Sequence, residues 1–190
     1  MMEMKSTVNP IEGAGPVKQV LANLFYGWGY NFYRKENQQR ADDLLIRARV
    51  SEMLGMARTS LAAMERTYRQ QHLPAPTREK PFPDAAAVAT AQALQREQQA
   101  LESLEVRVRN AAVPEMDRVN QRHRNERETL DRLAVVDGDL VLAAKAISDA
   151  VAALTDPVAV VASVPDILQQ SGVESLLTQR AQVLSALASN

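Results

Sequence analysis

Residues 46 to 68, IRARVSEMLGMARTSLAAMERTY, decide the fold. In this stretch Ile46, Val50, Met53, Ala57, Leu61, Met64 and Tyr68 follow at spacings of 4, 3, 4, 4, 3 and 4, the recurrence that puts side chains on one face of an α-helix. Leu44, Leu45 and Leu54 widen the stripe, so the helix is expected to meet more than one neighbour. No proline lies between Arg34 and Leu73. The pattern therefore predicts a helix from Arg34 to Gln71, about 57 Å long at 1.5 Å per residue.

Outward from this helix the chain alternates breaks with further helical pattern. Residues 74–84, PAPTREKPFPD, hold four prolines and form a connection, with Phe82 available to hook onto a neighbour and Asp84 placed to cap the next helix. That helix is expected from Ala85 to Ala112, with Ala91, Leu94, Leu101, Leu104 and Val108 inward. Pro114 kinks the rod or starts a new helix, after which Met116, Val119, His123, Glu126, Leu130 and Leu133 recur at 3, 4, 3, 4 and 3. This is a heptad seam, and the pair His123 and Glu126 within it is of the kind that fixes register or oligomer state. Val136-Asp-Gly-Asp139 is expected to break the rod. A helix from Leu140 to Leu154, apolar around much of its circumference, is expected to be buried within the bundle or against another copy. Asp156-Pro157 and Ser163-Val-Pro165 are helix-start signals, Gly172 is a stop, and Val173, Leu177, Ala181, Leu184 and Ala188 make a last amphipathic stripe. The fold class is all-α: an elongated antiparallel helical hairpin or coiled-coil bundle with shorter C-terminal helices.

Upstream, residues 24–33, LFYGWGYNFY, hold six of the eight aromatic residues of the chain. Gly27 and Gly29 each disfavour helix by roughly 1 kcal/mol relative to Ala, so a bend is expected there. Rings of this kind suit a core, a groove on a protein partner, or a bilayer interface. Phe25, Tyr26, Trp28, Tyr30, Phe32, Tyr33 and Arg34 are the candidate interaction residues. The chain thus divides into a flexible lead (1–15), an aromatic-rich anchor (16–33), a long helical hairpin (34–136) turning at 74–84, and Ala-rich C-terminal helices (137–190).

Composition excludes more than it assigns. With 22 basic and 23 acidic side chains, there is no basic excess to neutralise a phosphate backbone, and no nucleic-acid partner is expected. The charges are unevenly placed, +3 over residues 34–72 and −4 over 137–190, which favours complementary packing or assembly. Cysteine is absent, and with two histidines no metal or other cofactor is expected. Residues 1–16 lack the pattern of a signal peptide and the apolar run 140–164 is interrupted by charge and Pro157, so the expected location is cytoplasmic.

Glycine-rich phosphate loops, GxSxG, HExxH and ExxH patterns are all missing. One constellation, Arg118-Val-Asn-Gln-Arg-His123, resembles the R-x4-6-H motif of HEPN ribonucleases, which are dimerising helical bundles. The resemblance implies His123 as acid/base and Arg118 as phosphate stabiliser. It covers six residues, places Val119 where the family customarily has a polar residue, and the same loose spacing recurs from Arg66 to His72. The sequence therefore reads as a non-catalytic helical assembly protein, part of a homo-oligomer or of a larger complex such as a secretion apparatus or phage particle. The alternatives are a membrane-active helical protein, touching lipid through the aromatic segment, and a HEPN-like ribonuclease.

Overall fold

The computed structural model describes residues 36–112 and 126–188, which form five α-helices and, among those residues, no strand. They are α1 (Glu36–His72), α2 (Ala85–Arg109), α3 (Glu126–Ala153), α4 (Pro157–Gln170) and α5 (Val173–Ala188). The chain is all-α, a helical bundle.

The stripe read from residues 46–68 faces the core. Ile46, Val50, Met53, Leu54, Ala57 and Leu61 are buried, and Met64 and Tyr68 pack half-buried against the same cluster. Leu44, counted with that stripe, is instead 63% exposed. The five inward positions expected on α2, from Ala91 to Val108, are all buried. Each large aliphatic side chain so enclosed stabilises the fold by roughly 1.5–3 kcal/mol relative to leaving it in water. The Asp84 carboxylate caps α2 by accepting from the Ala87 N–H at 3.1 Å, and Asp156 does the same for α4 at Val158 and Ala159.

Cross-contacts set the directions. Arg47 reaches the Arg109 carbonyl while Arg58 lies 3.8 Å from Glu105, so α1 and α2 are antiparallel. Arg180 meets Asp137 and Leu184 packs with Leu133, so α3 and α5 are antiparallel as well. At the far end of α1, Met64 and Tyr68 share a groove with Leu154 and Thr155, so α3 runs parallel to α1. The path is therefore up, down, up, and down again through α4 and α5 in succession. α1 packs along α2 on one side and α3 on the other; α5 lies along α3, and α4 lies chiefly on α2.

The structure corrects several expectations. α2 closes at Arg109 rather than Ala112, with Asn110 as its cap, and a separate helix, α3, spans Glu126–Ala153. No break occurs at Val136-Asp-Gly-Asp139, and the division drawn between residues 136 and 137 falls inside α3. Asp137 is buried because it carries a partner rather than turning the chain. Pro165 does not start a helix but sits inside α4, on its exposed side, in a helix that Asp156 and Pro157 have already begun. The helix expected from Leu140 to Leu154 is buried on one face only: Leu140, Val141, Ala144, Ile147 and Val151 are enclosed, whereas Leu142 on the opposite face is 38% exposed. Phe82 is 86% exposed and not hooked onto a neighbour among the described residues.

α4 ends where expected. Gly172 has φ of 69°, the left-handed region that a side chain enters only at a cost of about 1–2 kcal/mol. Ser171 then serves both helices, its hydroxyl donating to the Leu168 carbonyl at 2.6 Å and accepting from the Val173 N–H at 3.4 Å.

Two substitutions test this packing. Ile147→Asp, which places an unpaired charge in the core, is expected to lower stability by roughly 3–5 kcal/mol; an unchanged denaturation midpoint would mean that α3 is not enclosed. Gly172→Ala is expected to cost about 1 kcal/mol through backbone strain alone, since an added Cβ meets nothing within 4 Å. Urea titrations followed by circular dichroism read both.

Candidate functional site

Phe25, Tyr26, Trp28, Tyr30, Phe32, Tyr33 and Arg34 lie outside the described residues, as do Arg118 and His123. Glu126 is the first residue of α3, and its side chain lies outside the described part, so the register pair with His123 is untested by the geometry. Of the second Arg and His spacing, Arg66 and His72 are both exposed on α1. His72 lies against Tyr68, with ring centroids 4.4 Å apart.

The structure gathers a different set of charged residues at the end of the bundle where α1, α2, α3 and α5 meet. Arg180 Nε donates to Asp137 Oδ1 at 2.9 Å, and the two side chains are 1% and 3% exposed. Arg180 Nη1 also donates to the Ala112 carbonyl. From α1, Arg47 Nη1 donates to the carbonyls of Arg109 at 2.9 Å and Ala111 at 3.4 Å. These carbonyls belong to the end of α2, where the last turn has no helical N–H to accept from and the helix dipole is negative. Arg47 thus caps the end of α2 while Arg180 holds the chain three residues beyond it, and Arg180 also holds the only carboxylate that reaches into the cluster among the described residues.

Burial is the largest influence on the Asp137 carboxyl and pushes it up to about 7, while the charge of Arg47 pulls the other way. Burial also lowers Arg47 and Arg180 from the ordinary arginine value, without bringing a guanidinium near deprotonation. Among the described residues the Arg180–Asp137 pair is enclosed, and Arg47 offsets the negative end of α2. Neither Asp137 nor Arg180 was singled out in the sequence. A signal was available, because Leu133, Asp137, Leu140, Ala144, Ile147 and Val151 continue the heptad seam at 4, 3, 4, 3 and 4, with Asp137 as a polar residue on the core side.

A second charged group lies along the α1–α2 contact. Glu105 is buried, 2.5 Å from Arg109 and 3.8 Å from Arg58.

An open groove lies at the opposite end of the bundle. Met64, Thr67, Tyr68 and His72, on the last turns of α1, form one wall, and the turn from Leu154 to Val158 forms the other, enclosing about 750 Å³. The Asp156 carboxylate is occupied in capping α4. Val158 stands 64% exposed at the edge. The walls are mainly apolar, with Tyr68 and His72 offering adjacent ring faces.

Among the described residues no three His, Asp or Glu side chains cluster in a way that could hold a metal ion, and no helix is long and apolar enough to cross a membrane. Compared with known proteins, the chain matches no family model, no curated protein and no solved structure.

The buried carboxyl makes stability depend on pH with a definite sign. Its folded value, about 7, lies above the ordinary 3.8, so its contribution is full below about pH 4 and is lost as pH rises through 7. The Asp137→Asn variant is expected to lack this decline. Denaturation midpoints of parent and variant measured from pH 4.5 to 8.5 check this, and parallel curves would show that Asp137 does not titrate in that window.

Proposed function

We propose that the chain is a non-catalytic helical assembly protein that works as a homo-oligomer or as a component of a larger multiprotein complex, a secretion apparatus or a phage particle being the type of setting. Its long antiparallel arms and heptad seam serve as the rigid body, and its contacts are made by exposed apolar side chains and by the aromatic segment. The observation that carries this reading is the contrast between the two ends of the bundle. At one end the titratable cluster is enclosed among the described residues; at the other an apolar groove stands open, with Val158 exposed at its edge. Solvated apolar surface beside a rigid scaffold is what a partner covers.

The mass in solution tests the proposal, alone and after co-purification from the native host. More than one chain per particle, or a stoichiometric partner, is expected. The Trp28→Ala, Tyr30→Ala double variant should lose that association with its thermal melt unchanged, because interface affinity concentrates in a few Trp, Tyr and Arg residues worth on the order of 2 kcal/mol or more each. A chain that is monomeric in both settings ends the assembly reading. A double variant that loses helicity together with association would place the rings in the core instead.

A further inference from the structure

Phe82 is 86% exposed, the most of any large apolar side chain among the described residues, and it stands in the connection between α1 and α2 on a closely fixed backbone. The Leu73 N–H donates to the Arg69 carbonyl at 2.9 Å, tying the connection to the end of α1. Residues 77–80 close on themselves, the Thr77 N–H donating to the Lys80 carbonyl and the Lys80 N–H to the Thr77 hydroxyl, both at 3.1 Å. Asp84 ends the segment as the cap of α2. Pro81 and Pro83 fix their own φ, and each keeps the residue before it, Lys80 and Phe82, out of the helical region. The ring is thus held out from the bundle on a rigid support.

Covering this segment costs little. Of residues 73–84, the four prolines have no N–H, and the N–H groups of Leu73, Thr77 and Lys80 are bonded within the chain, so few donors lose water when a surface closes over them. A backbone already ordered also loses little entropy on binding. Charge then decides the kind of surface. The residues at this end of the bundle, 65–84 and 154–158, carry four basic and four acidic side chains, a balance that gives no pull toward an anionic bilayer or a phosphate backbone. Beside the ring the balance differs. Arg78, Glu79 and Lys80 are exposed, two cations against one carboxylate, while Asp84 is engaged at α2. A two-fold contact centred on Phe82 would bring these cations against the same cations of a second copy, which is unfavourable. An acidic rim suits them instead.

We infer that residues 73–84 form a docking motif for a different protein: Phe82 enters an apolar pocket, and Arg78 and Lys80 meet acidic side chains at its rim. This rests on the assembly reading and names the surface that meets the partner. A single large ring in a closed pocket, surrounded by polar contacts that exclude water, is the arrangement in which interface affinity concentrates. Because the ring is solvated in its own chain, changing it leaves the fold intact.

Phe82→Ala, Phe82→Trp and Lys80→Glu in the full-length chain test this. The probe is the stoichiometric protein that co-purifies with the parent from the native host, isolated, identified and titrated back by calorimetry. Phe82→Ala is expected to weaken that binding about thirtyfold, the loss typical of a hot-spot ring, with an unchanged denaturation midpoint. Lys80→Glu should weaken it several-fold, and Phe82→Trp should keep most of it. A Phe82→Ala protein that binds the partner like the parent would overturn the motif and leave assembly standing. So would a parent that purifies only as copies of itself, because no different protein then meets the ring. A lower midpoint for Phe82→Ala would overturn it too, by placing the ring in the packing of its own chain. Vesicles of equal parts phosphatidylcholine and phosphatidylglycerol that float the parent but not Phe82→Ala would assign the ring to lipid, with the same result. A chain that is monomeric and without a partner in both settings overturns the motif and the assembly reading together.

Discussion

Arg180 Nε and Asp137 Oδ1 meet 2.9 Å apart in a core otherwise lined by leucine, valine and isoleucine, and four helices depend on what surrounds that contact. Asp137 comes from α3 and Arg180 from α5, the second guanidinium comes from α1, and between them they hold the carbonyls of Arg109, Ala111 and Ala112 where α2 ends and the chain leaves it. A buried ion pair of this sort adds little net stability over apolar side chains of equal volume, since desolvation offsets most of the attraction. Its effect is on alignment. Sliding α1 or α5 by one turn, about 5.4 Å, would leave a guanidinium in the core without acceptors, at a cost that apolar packing alone would not impose. Leucine stripes permit several registers; this cluster permits one.

The sequence was legible wherever a side chain's role depended on near neighbours in the chain. The stripe from Ile46 to Leu61 and the inward set on α2 are periodic, and periodicity is a local property. So are the Asp84 and Asp156 caps and the Gly172 stop, each settled by bonds that span four residues or fewer. What failed was local reading of residues with distant partners. Val136-Asp-Gly-Asp139 has the composition of a turn, yet the residue that keeps Asp137 inside a helix is Arg180, 43 positions away. Leu44 belongs to the stripe by spacing and is exposed in the fold. Pro165 resembles a helix start until the helix around it is seen to be held by Val160 and Val164 in the core. For the candidate interaction residues, the aromatic segment remains a reading of composition, and the groove was not foreseen because its two walls are about 90 residues apart in sequence.

The ends of α1 therefore do different work. Near Arg47 the helix is pinned by bonds to the end of α2, and the charges there are consumed by internal partners. Near Tyr68 its side chains line a gap toward the turn that faces it. The surface pairs Arg69–Glu65 and Lys145–Asp149 are exposed and lie within single helices, where such pairs contribute little.

The interruption at Gly172 means that the last quarter of the bundle is built as two short rods rather than one. The first lies chiefly on α2 and the second on α3, so a single stretch of chain spans both sides of the bundle like a clasp. Arg107 pairs with Glu174 across 67 positions and Arg180 reaches Ala112 across 68. Contacts this far apart are gained only after a long loop has closed. α1 and α2, joined by a short connection, can pair early, whereas the clasp must find α2 and α3 already in place. Order of assembly is thus built into the topology: the enclosed ion pair belongs to the step that completes the bundle, and not to the one that begins it.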